Sequence, residues 1–257
     1  MPLFETSQGL LFYAQRGTKE PALVCLHGAG GTHQYWGLQL RSLSDCARVI
    51  TLDLPGHGRS ALSGQSSILA YSHTLVSALD ALGLTRVILA GHSMGGAIAL
   101  QTALEAPTRV AGLALVGTAA RLRVAPAFLE GMINDPAATV EQLFTYFYGD
   151  ATPPECREVG KDIFRQADPQ VFHDDLKACD VFDIRERLGE ITCPTLIVCG
   201  DEDQMTPLKF SHSLQSGIVG SELVVVPGSG HMVLLEQPDT VNAALRQFMN
   251  RVAAVAQ

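Results

Sequence analysis

The chain has 257 residues, 47% of them apolar and 17% charged, and a formal net charge of −8. That mixture suits a compact globule, and the negative balance argues against nucleic acid or an anionic membrane surface as a partner. No stretch approaches 18 uninterrupted apolar residues, so no membrane-spanning helix is expected.

The opening MPLFETSQGLLFYAQRG has neither a basic start nor a long apolar run, so no secretory signal is expected. From there, short apolar runs alternate with helical stretches. ALVCLHG (22–28) and RVITLDLPG (48–56) are apolar on both faces, the pattern of strands buried in a parallel sheet. A helix is expected over 67–82, the strand run RVILAGHS over 86–93, a second helix over 94–106, and another strand run, VAGLALVGT, over 110–118. Two more strand runs follow late in the chain, CPTLIVCGDED (193–203) and ELVVVPGSGH (222–231), before a closing helix at 238–254. The alternation predicts an α/β protein with a parallel sheet wrapped by helices.

The alternation breaks once. Between 121 and 190 there are only helix-like pieces, punctuated by Pro126, Pro136, Pro153-Pro154 and Pro169, and eight of the sixteen aromatic residues fall there. A structureless loop of that length is improbable. The segment reads as an inserted helical cap (121–190) over a core formed by 1–120 and 191–257. It carries fourteen Asp/Glu against eight Lys/Arg. These charges are expected on its solvated outer face, with the aromatics and Met132 packing downward and some of them lining a pocket. Six cysteines lack CxxC spacing, and Cys25, Cys193 and Cys199 sit in or beside apolar runs. A cytoplasmic, disulfide-free protein is expected.

In a parallel sheet the carboxyl ends of the strands share one edge, where ligands bind. Each strand run here ends there in polar or glycine-rich residues: His27-Gly28-Ala29-Gly30, Asp53, Ser93, Asp201 and Asp203, and His231. Gly91-His92-Ser93-Met94-Gly95 has the Gly-x-Ser-x-Gly spacing of a nucleophile elbow, in which glycines let strand and helix approach and push the serine hydroxyl outward. The plainer reading is a loop with Ser93 as helix N-cap. A strand running in and a helix running out favour the elbow. A serine hydroxyl needs a base to become a nucleophile. Imidazole suits, with a carboxylate to hold its tautomer. His231 alone among the eight histidines follows a late strand, in PGSGH. His73, His173 and His212 are read as structural. Asp201, Glu202 and Asp203 compete for the acid.

With these residues in place the chain resembles the α/β-hydrolase family. The resemblance rests on HGAGG (27–31), DLPGHGRS (53–60), GHSMGG (91–96), GDEDQMTP (200–207) and GSGHMVLLEQP (228–238), and only the cap lacks a signature. It implies Ser93 as nucleophile, His231 as base and Asp203, three residues after Gly200, as the acid. It also implies an oxyanion hole from the backbone N–H groups of Ala29 and Met94, with Gly30 allowing close approach. His27 and His57 then shape loops, and Asp53 is structural. The implied activity is hydrolysis of carboxylic esters through an acyl-enzyme, with a small-molecule ester as partner and neither metal nor organic cofactor. Dehalogenases and epoxide hydrolases of this fold carry Asp at the nucleophile position, so Ser93 argues against both. A carbon–carbon or hydroxynitrile lyase using the same three residues, or a ligand receptor on the same scaffold, stays open. The acidic cap points to neutral esters of short to medium acyl chain. Arg121 and Arg123, at the start of the cap, are the residues that could instead clamp a substrate carboxylate.

Overall fold

The computed structural model describes residues 3–255. One eight-stranded sheet runs through it, built from β1 (Leu3–Thr6), β2 (Gly9–Arg16), β3 (Leu23–Leu26), β4 (Val49–Asp53), β5 (Val87–His92), β6 (Val110–Val116), β7 (Thr195–Gly200) and β8 (Glu222–Val226). The spatial order is β1-β2-β4-β3-β5-β6-β7-β8. β1 and β2 pair antiparallel, as do β2 and β4, and every pairing from β4 across to β8 is parallel.

The six parallel strands fall inside the expected runs. Their side chains alternate between two packed layers: Val24, Leu26, Ile50, Leu52, Val87 and Leu89 face one core, while Leu23, Cys25, Val49, Ile88 and Ala90 face the other. β3 to β7 are buried along their whole length, which makes those runs continuously apolar, whereas β8 at the far edge is partly exposed. The antiparallel hairpin β1–β2 was not among the expected strands. It forms an edge whose residues are partly exposed, and its two strands join through a short turn with no helix between them, so it stands outside the strand–helix alternation although Leu10–Ala14 is apolar. Thr6 Oγ1 closes its turn on the Gly9 carbonyl at 2.8 Å.

The helices are α1 (Gly37–Ser42), α2 (Ile68–Ala81), α3 (Met94–Glu105), α4 (Pro126–Asn134), α5 (Pro136–Phe144), α6 (Pro154–Phe164), α7 (Pro169–Asp180), α8 (Leu208–Gly217), α9 (Val233–Glu236) and α10 (Pro238–Val255). Residues of α2, α3 and α8 pack into the first core, and those of α9 and α10 into the second. α4 to α7 form the helical insertion between β6 and β7. Each of these four begins with proline at its first helical position, where the missing N–H costs nothing and the fixed φ suits the helix.

Phe144, Phe147, Phe164, Phe172 and Met132 of the insertion are buried in the second core, and Phe182 in the first. Most of its acids face water, with Glu158 and Asp162 more than half exposed. Asp175 departs from that expectation and is fully buried, because three donors from the core surround it. No helix among the described residues is long and apolar enough to cross a membrane. All six cysteines are unpaired thiols.

Candidate active site

Strand β5 delivers Ser93 and helix α3 leaves from it. Ser93 has φ +53° and ψ −118°; among the described residues it is the one non-glycine with positive φ, a conformation costing on the order of 1–3 kcal/mol. Its neighbours make that turn possible. A Cβ at Gly91 would overlap the Gly95 carbonyl, and one at Gly95 would overlap the carbonyls of Leu26 and His27. The main chain of Ser93 is tied down on both sides: its N–H donates to Val116 O at 3.0 Å, and its carbonyl accepts from Thr118 Oγ1 at 2.7 Å. The Ser93 side chain makes no capping bond to α3. It lines a cavity instead, so the N-cap reading is not met.

His231 and Asp203 are brought together from the ends of β8 and β7. His231 Nδ1–H donates to Asp203 Oδ2 at 2.9 Å, and both residues are buried. Asp203 Oδ1 also accepts the amides of Met205 and Thr206, each at 2.8 Å, and Oδ2 accepts Thr206 Oγ1 at 2.7 Å. Burial alone would raise the Asp203 pKa, but His231 and these donors outweigh it and hold the carboxyl down at about 2. The competing acids are engaged elsewhere. Asp201 is exposed and accepts Gly228 N at 2.7 Å; Glu202 is exposed and accepts Asp150 N at 2.7 Å. With Nδ1 bound to the carboxylate, His231 keeps its lone pair on Nε2, and the ring lines the same cavity as Ser93.

The loop after β3 supplies the other wall. Gly28 O accepts Gly31 N at 3.1 Å and His27 Nδ1–H at 2.8 Å. His27 Nε2 accepts Leu54 N at 3.1 Å, and burial, then the nearby His57, lowers its pKa to about 3, so the ring stays neutral. Neither the Ala29 amide nor the Met94 amide, the first of α3, has a protein acceptor among the described residues. Ala29 lines the cavity beside Ser93, and Met94 directly follows Ser93 at the start of α3. Such free amides beside a helix N-terminus attract negative charge. Asp53 is fully buried and holds loops: it accepts His33 N at 2.7 Å, His33 Nδ1–H at 2.8 Å and Arg59 N at 2.9 Å. His57 and His27 pack ring against ring, 4.7 Å between centroids.

The cavity has a volume of about 380 Å³; its apolar wall includes Phe147, Phe164, Phe172, Leu176 and Met205. Phe128 and Tyr146 are not in that wall, and neither is Met132. Three arginines reach the lining, and each is already paired within the chain. Arg121 Nε lies 3.6 Å from Asp183 and Arg123 Nε 3.3 Å from Asp180. Arg185 grips Asp183 with two bonds of 2.9 and 2.7 Å.

Three supporting residues stand within quoted runs but have no role legible from sequence alone. Gly117, with φ +51°, leaves room for the histidine–carboxylate pair; a Cβ there would come within 3.3 Å of His231 Nδ1. His92 Nε2–H donates to the His231 carbonyl at 2.9 Å. Glu236 accepts Gly230 N at 3.1 Å and Gly149 N at 2.9 Å, tying the His231 turn to the insertion. Thr206 was quoted within GDEDQMTP, and its place three residues after an aspartate is the local signal for such a capping bond.

A family model described as the alpha/beta hydrolase family matches residues 23–244. The chain is 30% identical over 250 residues to a protein of Klebsiella pneumoniae named putative carbamate hydrolase RutD, spanning 92% of this chain and 94% of that one. It is similar in structure to a thermophilic esterase from Thermogutta terrifontis, with 26% identity, a TM-score of 0.89 and 98% of each chain covered. It is also similar to Est816, described as an N-acyl homoserine lactone degrading enzyme, with 29% identity and a TM-score of 0.88 over 96% of this chain and 100% of that one.

Proposed function

The chain belongs to the alpha/beta hydrolase family and is a hydrolase; from that premise we propose that it cleaves carboxylic esters through a Ser93 acyl-enzyme. Ser93 Oγ attacks the ester carbonyl while His231 Nε2 takes its proton. Asp203 holds the Nδ1–H tautomer and stabilises the imidazolium that forms. The amides of Ala29 and Met94 receive the developing oxyanion. His231 then protonates the leaving alkoxide, and a water activated by the same nitrogen releases the acid. In this reading residues 1–120 and 191–257 are the core and 121–190 is the cap that covers the site.

The observation that carries the proposal is the convergence in one cavity lining of a positive-φ serine and a buried histidine already bonded to a carboxylate. The relatives' names add to it: carbamates, esters and lactones all present a carbonyl bonded to a heteroatom leaving group. The substrate is a small neutral ester, because the wall is apolar and the nearby arginines already hold carboxylates of the chain itself. The test is labelling of Ser93 by a fluorophosphonate, together with turnover of p-nitrophenyl esters of increasing acyl length and of carbamate and lactone analogues. Recovery of a carbon–carbon cleavage product without net addition of water would instead make it a lyase.

A further inference from the structure

Asp175 lies on α7 of the insertion, far in sequence from the loop after β3, yet it is fully buried against that loop. Its Oδ2 accepts Gly30 N at 2.9 Å and His57 Nε2–H at 2.8 Å, and its Oδ1 accepts Tyr71 OH at 2.6 Å. His57 donates its other N–H to Pro55 O at 2.9 Å, so both ring nitrogens act as donors and the pair is an imidazolium facing a carboxylate. A buried charge held by three donors is costly to assemble. Asp175 takes no part in the proton transfers between Ser93, His231 and the substrate.

Its position bears on Ala29. A peptide unit is planar and trans, so the Gly28 carbonyl and the Ala29 N–H point in opposite directions within one plane. His27 Nδ1–H and Gly31 N hold that carbonyl, which turns the Ala29 N–H away from them. The next peptide unit is held through its Gly30 N–H by Asp175. Gly30 itself is at φ +65°, and Phe172, one turn before Asp175 on α7, packs 3.0 Å from where a Gly30 Cβ would stand. Asp175 also anchors the His57 ring that packs on His27. Both peptide planes flanking the Ala29 Cα are therefore set by buried side chains, and Asp175 reaches both.

We propose that Asp175 is a positioning residue through which helix α7 of the insertion orients the Ala29 amide, so that the oxyanion site is complete only when the insertion is docked. The proposal rests on the serine-hydrolase reading, with Ala29 as one oxyanion donor. Without Asp175 the Ala29–Gly30 peptide loses its anchor and the His57 ring its hold against His27, so the His27 bond that fixes the Gly28–Ala29 unit, and with it the direction of the Ala29 N–H, is loosened. A misplacement of this kind lowers the rate of the chemical step more than it lowers substrate binding.

The experiment compares wild type with Asp175→Asn, which keeps the shape and one acceptor oxygen, and with Tyr71→Phe, which removes one donor and leaves the Gly30 bond in place. Folded active sites are counted by fluorophosphonate titration. On a p-nitrophenyl ester, Asp175→Asn is expected to lower kcat per titrated site roughly ten- to hundredfold with KM within about twofold, and Tyr71→Phe is expected to do the same more weakly. The Ki of a trifluoromethyl ketone, which adds to the serine and forms an oxyanion, is expected to rise in parallel with the loss in kcat. A merely structural role lowers melting temperature and the number of titrated sites but leaves kcat per site and the ketone Ki unchanged, and that result overturns the proposal. If Asp175→Asn does not fold, the Tyr71→Phe comparison decides alone on the same two readouts. Wild type that neither turns over esters nor binds the ketone brings down the serine-hydrolase reading first, and this proposal with it.

Discussion

Thr206 and Asp203 form a closed unit: the threonine donates its hydroxyl to Oδ2 at 2.7 Å and its amide to Oδ1 at 2.8 Å. With Met205 N also on Oδ1, the carboxylate cannot rotate, and its remaining bond goes to His231. Asp203→Asn is therefore expected to lower kcat roughly ten-thousand-fold by presenting an N–H to Nδ1 and selecting the wrong tautomer. Asp201→Asn, which disturbs only a bond to Gly228 on the surface, is expected to stay within about threefold of wild type. Steady-state kinetics on one neutral ester settle the ranking, and equal losses at the two positions would count against Asp203 as the acid.

Ser93→Ala is expected to lower kcat by roughly a million-fold while leaving the fold intact. Ser93→Gly should be equally inactive but more stable than the alanine variant by about 1 kcal/mol, because glycine occupies φ +53° without the Cβ penalty. Urea unfolding of the two inactive variants measures the difference. Equal stabilities would mean that the turn stores no strain.

Burial by itself would lower the His57 pKa, but Asp175 and the Pro55 carbonyl outweigh it and the net shift is upward. The folded protein thus holds a proton on His57 at pH values where the unfolded chain, near 6.5, releases it. This contribution to stability is fully present below about pH 6.5 and is lost as pH rises through the folded value. The stability difference between wild type and His57→Gln, from urea unfolding at several pH values, should be largest in mild acid and shrink toward alkaline pH. A difference that grows with pH would contradict a protonated His57.

Asp203 behaves in the opposite sense. Its folded pKa of about 2 lies below the ordinary carboxylate value, so its contribution is present above about pH 4 and is lost as pH falls toward 2. Asp203→Asn should accordingly flatten the acid side of the stability profile. An unchanged acid limb would show that the pair with His231 does not persist in solution.

The arginines at the cavity are satisfied by Asp183 and Asp180. An ω-carboxylate on the acyl chain would have to displace one of these partners or remain unpaired against an apolar wall. A neutral ester is expected to exceed its ω-carboxylate analogue in kcat/KM by at least about tenfold, or about 1.4 kcal/mol. A preference for the anion that disappears in Arg121→Ala or Arg123→Ala would reverse the assignment.

Much of this molecule is determined by periodicity within short windows of sequence. The runs at 22–28, 86–93 and 193–203 are apolar on both faces because the strands they form are covered on both sides, and Pro126, Pro136, Pro154 and Pro169 mark helix starts because φ is fixed at each. The elbow is legible for the same reason, since Gly91 and Gly95 are required by a close approach that a five-residue pattern can encode. The edge hairpin at 3–16 was not legible from that alternation, because β1 and β2 join through a short turn with no helix between them, although Leu10–Ala14 is itself apolar. Asp201, Glu202 and Asp203 are adjacent, and residue type alone does not separate them; the family spacing pointed to Asp203, and the turn after β7 carries that residue to His231, 28 positions away. Asp175 was read as one more acid on a solvated face. Only tertiary packing made it a buried carboxylate, by bringing Gly30, His57 and Tyr71 to it from three other parts of the chain. A side chain's chemical type is written in the sequence, but its desolvation and its partners depend on contacts between distant segments, and these exist only once the chain has folded.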